Sequence, residues 1–169
     1  MIKLIKTDVF IADPYNENHI KLYKQFEKEK NLPNTASKYL EELSHKYTKE
    51  EYNNHLQKSN EIMTSLFIVK DNEISDFCLI KYEKDRKIAN VTYPKLEKTK
   101  RKIVSASTEY IFNILSLEEM FVSVNNNDNS ITTTLLENGF ESLGNTNNMI
   151  QFIKEKPIES EIKRSRTWK

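Results

Sequence analysis

The sequence predicts an α/β (α+β) domain: a mixed, mostly antiparallel central sheet with helices on both faces. Three observations predict it. Helical patterns fill residues 13–64, ahead of the main strand runs. From Ser65 onward three strand-like runs follow one another through short polar turns, as a meander does. The remainder alternates helix, strand, helix, strand, the order that crossover connections in a sheet require.

Residues 2–6 (Ile2-Lys3-Leu4-Ile5-Lys6) alternate apolar and basic and suit a short half-exposed strand. After Asp13-Pro14, Ile20, Tyr23 and Phe26 sit at helical spacing until Asn31-Leu32-Pro33-Asn34 ends the pattern. Tyr39, Leu43 and Tyr47 mark a second helix at four-residue steps. Thr48-Lys49-Glu50-Glu51 reads as a capping box opening a third, with Tyr52, Leu56 and Met63 on one face. Leu66 to Val69 is a buried-strand run, Lys70-Asp71-Asn72-Glu73 a turn, and Ile74 to Tyr82 the returning strand of a hairpin. Lys84-Asp85-Arg86 turns again into Ile88–Tyr93, which stops at Pro94. Lys100 to Leu115 is helical in pattern, with Ile103, Ile111 and Ile114 among its apolar positions. Met120–Val124 reads as a strand and Ser130–Asn138 as a short helix, with Asp128 or Asn129 as N-cap and Gly139 as C-cap. Met149–Ile153 is the last strand. One domain over residues 1–156 is expected, divided into a helical part (13–64) and a sheet part (65–156), with a basic tail over 157–169.

The bulk numbers narrow the function classes. A chain of 169 residues can bury a real core. Lys+Arg 26 against Asp+Glu 25 leaves almost no net charge, unlike a dedicated nucleic-acid binder. The single cysteine, Cys78, has no intrachain disulfide partner and lies in an apolar segment, as a buried structural thiol does. His19, His45 and His55 stand apart from one another, so no metal site is expected. The opening residues are too short in apolar length for a signal peptide, and no run approaches a membrane span, so no membrane partner and a cytoplasmic location are expected.

The order of elements resembles the GNAT superfamily of N-acetyltransferases. The resemblance covers roughly residues 65–153. It rests on the hairpin Phe67–Ile74, on Glu109-Tyr110-Ile111-Phe112-Asn113 feeding Met120–Asn125, and on Glu137-Asn138-Gly139-Phe140, which stands where that family has a Glu-Lys-hydrophobic-Gly-Phe type signature. The last of these has its own physical logic: Gly139 can take the left-handed conformation that stops a helix, and Phe140 then turns back into the core. The three N-terminal helices exceed the family's usual two.

The resemblance implies acetyl-CoA as cosubstrate, held between two splayed parallel strands with its pyrophosphate on a glycine-rich loop at a helix N-terminus. By this correspondence Val91, Thr92 and Tyr93 would flank the thioester, and Thr99, Lys100, Arg101, Lys102, Ile103 and Val104 would form the phosphate loop. Asn125 and Asp128 would meet the cofactor arm. The loop contains no glycine, and Asp76 stands where the hairpin favours one. Three readings of the basic residues at 98, 100, 101 and 102 stay open: added charge on an anion site, side chains that fill the cleft, or a solvated turn. A basic first turn opposes the helix dipole and calls for an offsetting negative charge.

The family's usual proton-donating tyrosine corresponds to Leu135, which cannot donate, so the resemblance assigns no catalytic acid. Cys78, if it faces the cleft, and water are the alternatives. Glu83, Asp85 and Glu109 are candidate bases that the sequence does not place. The expected activity is acetyl transfer to an unidentified small-molecule or peptide amine, and a homodimer is compatible with the family. The alternatives are a GNAT-shaped binding or regulatory protein without catalysis, and a nucleic-acid-associated protein using residues 98–102 and Lys163-Arg164-Ser165-Arg166.

Overall fold

The computed structural model describes residues 8–94 and 100–157. The strand expected at residues 2–6, the loop residues Lys98 and Thr99, and the tail beyond Pro157 lie outside the described residues.

In chain order the elements are β1 (Val9–Ile11), α1 (Glu17–Glu29), α2 (Thr35–Lys46), α3 (Lys49–Lys58), β2 (Glu61–Lys70), β3 (Glu73–Glu83), β4 (Ile88–Thr92), α4 (Lys100–Glu109), β5 (Glu119–Asn125), α5 (Asn129–Glu137), β6 (Glu141–Thr146) and β7 (Met149–Glu155). They build a seven-stranded sheet in the order β1-β2-β3-β4-β5-β7-β6. Every neighbouring pair is antiparallel except β4 and β5. The expected mixed, mostly antiparallel sheet is therefore present.

Strand alternation sends side chains to two cores. On one face Ile62, Leu66, Cys78, Ile80, Ala89, Val91, Met120, Val122 and Phe152 meet Ile103, Val104 and Ile111 of the α4 segment and Ile131 and Leu135 of α5. On the other, Phe10, Phe67 and Phe77 meet Tyr23 and Phe26 of α1 and Ala36 and Leu40 of α2. Tyr23 and Phe26 both cross Phe77 edge-on, at centroid distances of 5.2 and 5.7 Å. A register shift between Ile68 and Val69, opposite Asp76 and Ile74, moves Ile74 to the α1–α2 face.

Several local readings are corrected. β2 starts at Glu61, so Met63 belongs to a strand and the helical part ends earlier than residue 64. α2 buries Ala36, Ser37 and Leu40, a stripe displaced from Tyr39, Leu43 and Tyr47. β6 (Glu141–Thr146) is an additional strand: all its residues are exposed, so it carries no apolar alternation to read. After α4 a π-helical turn over Tyr110–Ile114 closes on Leu115 N to Tyr110 O (2.9 Å), and Ile114 is exposed.

The expected caps are present. Thr48 and Glu51 form the reciprocal capping box, and Asp128 accepts from Ile131 N. Gly139 has φ +85° and Phe140 N donates to Leu135 O at 3.0 Å, returning Phe140 to the core. The α2 N-terminus is capped from another element: Glu27 Oε2 accepts from Ala36 N (3.1 Å) and Ser37 N (3.3 Å), while Asn34 makes no side-chain cap. Among the described residues no helix is long and apolar enough to cross a membrane.

Candidate active site

The two parallel strands run together only over their first halves. Ile88 lies opposite Glu119, and the pairing continues to Val91 opposite Val122. Beyond that row β4 stays with β3, where Leu79 faces Thr92, and β5 stays with β7, where Asn125 faces Met149. The result is a gap at the C-terminal ends of two parallel strands, where ligands bind in open α/β sheets. It holds a cavity of about 270 Å³, lined by Thr92 and Tyr93 on one side and by Val122–Asn125, Asn127, Asp128, Ile131 and Met149 on the other.

The structure brings together four of the residues expected at the cofactor: Thr92, Tyr93, Asn125 and Asp128. Val91 is the last residue of β4 paired to β5; it is buried and does not line the cavity. Ile103 and Val104 are fully buried in the α4–sheet core, so only their backbone is available to a ligand. α4 begins at Lys100, and its first N–H groups have no intrahelical acceptor, which is general for helix starts.

The basic first turn has its offsetting charge inside the protein. Arg101 Nη2 lies 2.6 Å from Glu137 Oε2, and Lys102 pairs with Asp8. Neither Arg101 nor Lys102 lines the gap.

Three of the polar side chains in the gap, those of Tyr93, Asn125 and Asp128, also have a local task. Asn125 Oδ1 accepts from Asn127 N at 3.0 Å, and Asp128 Oδ1 from Ile131 N at 3.3 Å. Ser107 Oγ donates to Val104 O (3.0 Å), so its single proton is committed and it accepts from the Tyr93 hydroxyl at 2.6 Å. Burial, with the negative charge of nearby groups, holds the Tyr93 phenol well above its usual range. Tyr93 is thus a fixed wall.

The candidate acids and bases are not assembled at the gap. Leu135 is fully buried. Cys78 is fully buried in the core and burial pushes its thiol up, as a structural thiol behaves. Glu83 pairs with Arg86 at 3.3 Å, Asp85 sits in the turn before β4, and Glu109 lines a separate hollow beside Lys154. Asp76 is buried in β3, where its carboxylate accepts from Phe77 N at 2.8 Å. Sequence reasoning missed Val122, Ser123, Val124, Asn127, Ile131 and Met149 in the lining. The alternation of β5 was a usable signal for Ser123; Met149 enters only through the β5–β7 pairing.

No family model matches this sequence, and no curated protein does. Solved structures do match in shape. The chain is similar to the N-acetyltransferase PseH of Campylobacter jejuni in complex with acetyl coenzyme A, at TM-score 0.61 and 14% identity over 88% of this chain and 99% of that one. It is similar to the spermidine N-acetyltransferase of Vibrio cholerae in complex with CoA and spermine, at TM-score 0.62 and 13% identity over 89% of this chain and 97% of that one. A dodecameric structure of the Vibrio cholerae enzyme gives TM-score 0.60 and 13% identity over 95% and 99%.

The chain has the GNAT fold. By the resemblance, the phosphate loop would span the segment between β4 and the start of α4, and the described part of that segment, Lys100 to Val104, contains no glycine. By the same resemblance Leu135 of α5 stands where the family's tyrosine would.

Proposed function

We propose that this protein is an acetyl-CoA-dependent N-acetyltransferase acting on a small-molecule or peptide amine. The observation that carries the reading is the gap between parallel β4 and β5, which opens after Val91 and Val122. Its chemistry suits a pantetheine arm: Val122, Val124, Ile131 and Met149 offer apolar walls, and Thr92, Ser123 and Asn127 offer hydrogen bonds. Val91, Thr92 and Tyr93 flank the thioester, Asn125 and Asp128 border the arm, and the backbone from Thr99 to Val104 receives the phosphates.

Acetyl-CoA supplies an activated acyl thioester. The acceptor nitrogen bonds the acetyl carbon, the carbon–sulfur bond breaks, one ammonium proton passes through water to the thiolate, and a second is released. The chain's contribution is position: the β4 backbone orients the carbonyl, and the walls exclude bulk water. Among the described residues neither Leu135 nor Tyr93 is able to donate a proton, so water is the proton carrier in this reading.

The test is thiol release from acetyl-CoA with spermidine and lysine-containing peptides as acceptors. Turnover that a bulky Ser123→Trp change abolishes supports the reading. Coenzyme binding without turnover by any acceptor would favour the binding-protein alternative, and absence of both would remove the reading.

A further inference from the structure

The gap pierces the sheet. Val122, Val124 and Ile131 line it on the side of α4 and α5. Thr92, Ser123, Asn125 and Met149 line it from the opposite face, to which strand alternation sends them. On that face the core beneath α1 and α2 reaches no further than Leu79 of β3. No residue of β4, β5, β6 or β7 belongs to it. Among the described residues this half of the face has no cover: Asn90, Thr92, Ser123 and Gln151 are exposed, and Phe121 and Ile153, paired with each other, are half-buried.

Charge marks the same face. At the closed end of the β4–β5 pair one cross-strand row runs Glu61, Glu83, Ile88, Glu119, Glu155 from β2 to β7. Residues in one row share a face, so these carboxylates stand side by side. Glu61 lies directly opposite Glu83, and Glu119 directly opposite Glu155, an arrangement that costs stability. In the next row Glu141 lies opposite Ile153. Arg86 answers Glu83 at 3.3 Å, but among the described residues Glu61, Glu119, Glu141 and Glu155 have no ion pair. The carboxylates of this face outnumber its cations, Lys81 opposite Asn90 and Arg86 in the turn.

The occupant that fits is a polycation long enough to reach from the glutamate row to the gap. Glu119 and Ser123 are about 13 Å apart along β5, the reach of about four residues of extended peptide. Between them Phe121 and Ile153 suit the apolar stems of lysine and arginine. A second copy fits badly, because a two-fold contact through this face would set glutamates against glutamates.

We propose that this open sheet face docks an extended peptide rich in lysine and arginine, with arginines on the glutamate row and a lysine at the gap. The docking stands on the sheet face alone, and the lysine's role as acetyl acceptor rests on the transferase reading.

Isotope-labelled full-length protein without coenzyme, titrated at low salt with a peptide carrying a central lysine and arginines about four residues to either side, tests the face by NMR. The amide signals of Glu119, Phe121, Ser123 and Ile153 should shift and saturate at a dissociation constant of about 1 mM or below. About 0.5 M salt should remove most of the shift. Glu119→Gln and Glu155→Gln should each weaken binding about threefold and yet raise the urea midpoint, since each relieves a like-charge pair. A structural role alone would not couple weaker binding to greater stability. Absence of shifts at about 10 mM peptide, shifts elsewhere, or equal binding of the same peptide with citrulline for arginine would each overturn the proposal. So would spermidine binding as tightly as the peptide, or the same signals moving on raising protein concentration alone, which would assign the face to a second copy. If coenzyme binding fails while the peptide shifts stand, the transferase reading falls and the docking remains.

Discussion

At the scale of single residues, two buried polar groups on α1 hold the helical half together. Glu27 puts a carboxylate against the N-terminal amides of α2, where the helix dipole also favours it. Glu27→Ala leaves those amides uncapped and should cost about 1–3 kcal/mol in urea unfolding. Glu27→Gln keeps an acceptor oxygen and should cost less. His19 gives a pH signature. Desolvation outweighs the pull of Asp13, so the folded state disfavours the imidazolium relative to the unfolded chain. The unfolded state therefore binds the extra proton more readily, and stability rises with pH through this window. Relative to His19→Phe, the wild type should lose stability as pH falls below about 6.5, a difference measurable in urea titrations at pH 7.5 and 5.5. The sequence disclosed Cys78 as a structural thiol and Asp128 as a cap, because both are properties of near neighbours. It did not disclose Glu27 or His19, whose partners Ala36 and Asp13 depend on how helices fold back. Nor did it place Glu83, Asp85 and Glu109: sheet register sets Glu83, and with it the turn holding Asp85, at the closed end of the β4–β5 pair, and Glu109 on α4 lines a separate hollow.

At the scale of elements, the helix starts are the informative places. Thr48→Ala removes half of the capping box on α3 and should cost about 1 kcal/mol, read by thermal unfolding. α4 opens with like charges against its dipole, held by Glu137 and Asp8. On the proposed function, Glu137→Gln frees Arg101 for the coenzyme phosphates. It should tighten coenzyme A binding several-fold at low salt, an effect that calorimetry should show vanishing at high salt. Elements with strong local signals were legible: the β2–β3 hairpin, its turn with Asp71 and Asn72 at positive φ, and the α5 stop at Gly139. β6 was not, because an exposed edge strand with Leu143 as its sole large apolar residue has no face to alternate. The α2 stripe was misread for a related reason. Small Ala36 and Ser37 are the residues that let it approach α1, and small residues carry little hydrophobic signal.

At the scale of the whole molecule, one departure from antiparallel order makes the site. Six strand neighbours form a sheet, and the single parallel pair splits where β4 follows β3 and β5 follows β7. The order of elements foretold a parallel crossover, since a helix joins the two strands, and the resemblance to the GNAT superfamily implied that the pair splays. A hollow lined by Tyr15, Tyr52 and Tyr82 beside α3 was not foretold, because no local pattern encodes a hollow. What enters the split decides the function. Titration of isotope-labelled protein with acetyl-CoA, followed by backbone amide NMR, reads it directly. Entry of the coenzyme into the split should give saturable shifts at Thr92, Tyr93, Ser123, Asn125 and the first turn of α4. Unchanged spectra at millimolar acetyl-CoA, or shifts confined to other parts of the sheet, would contradict it.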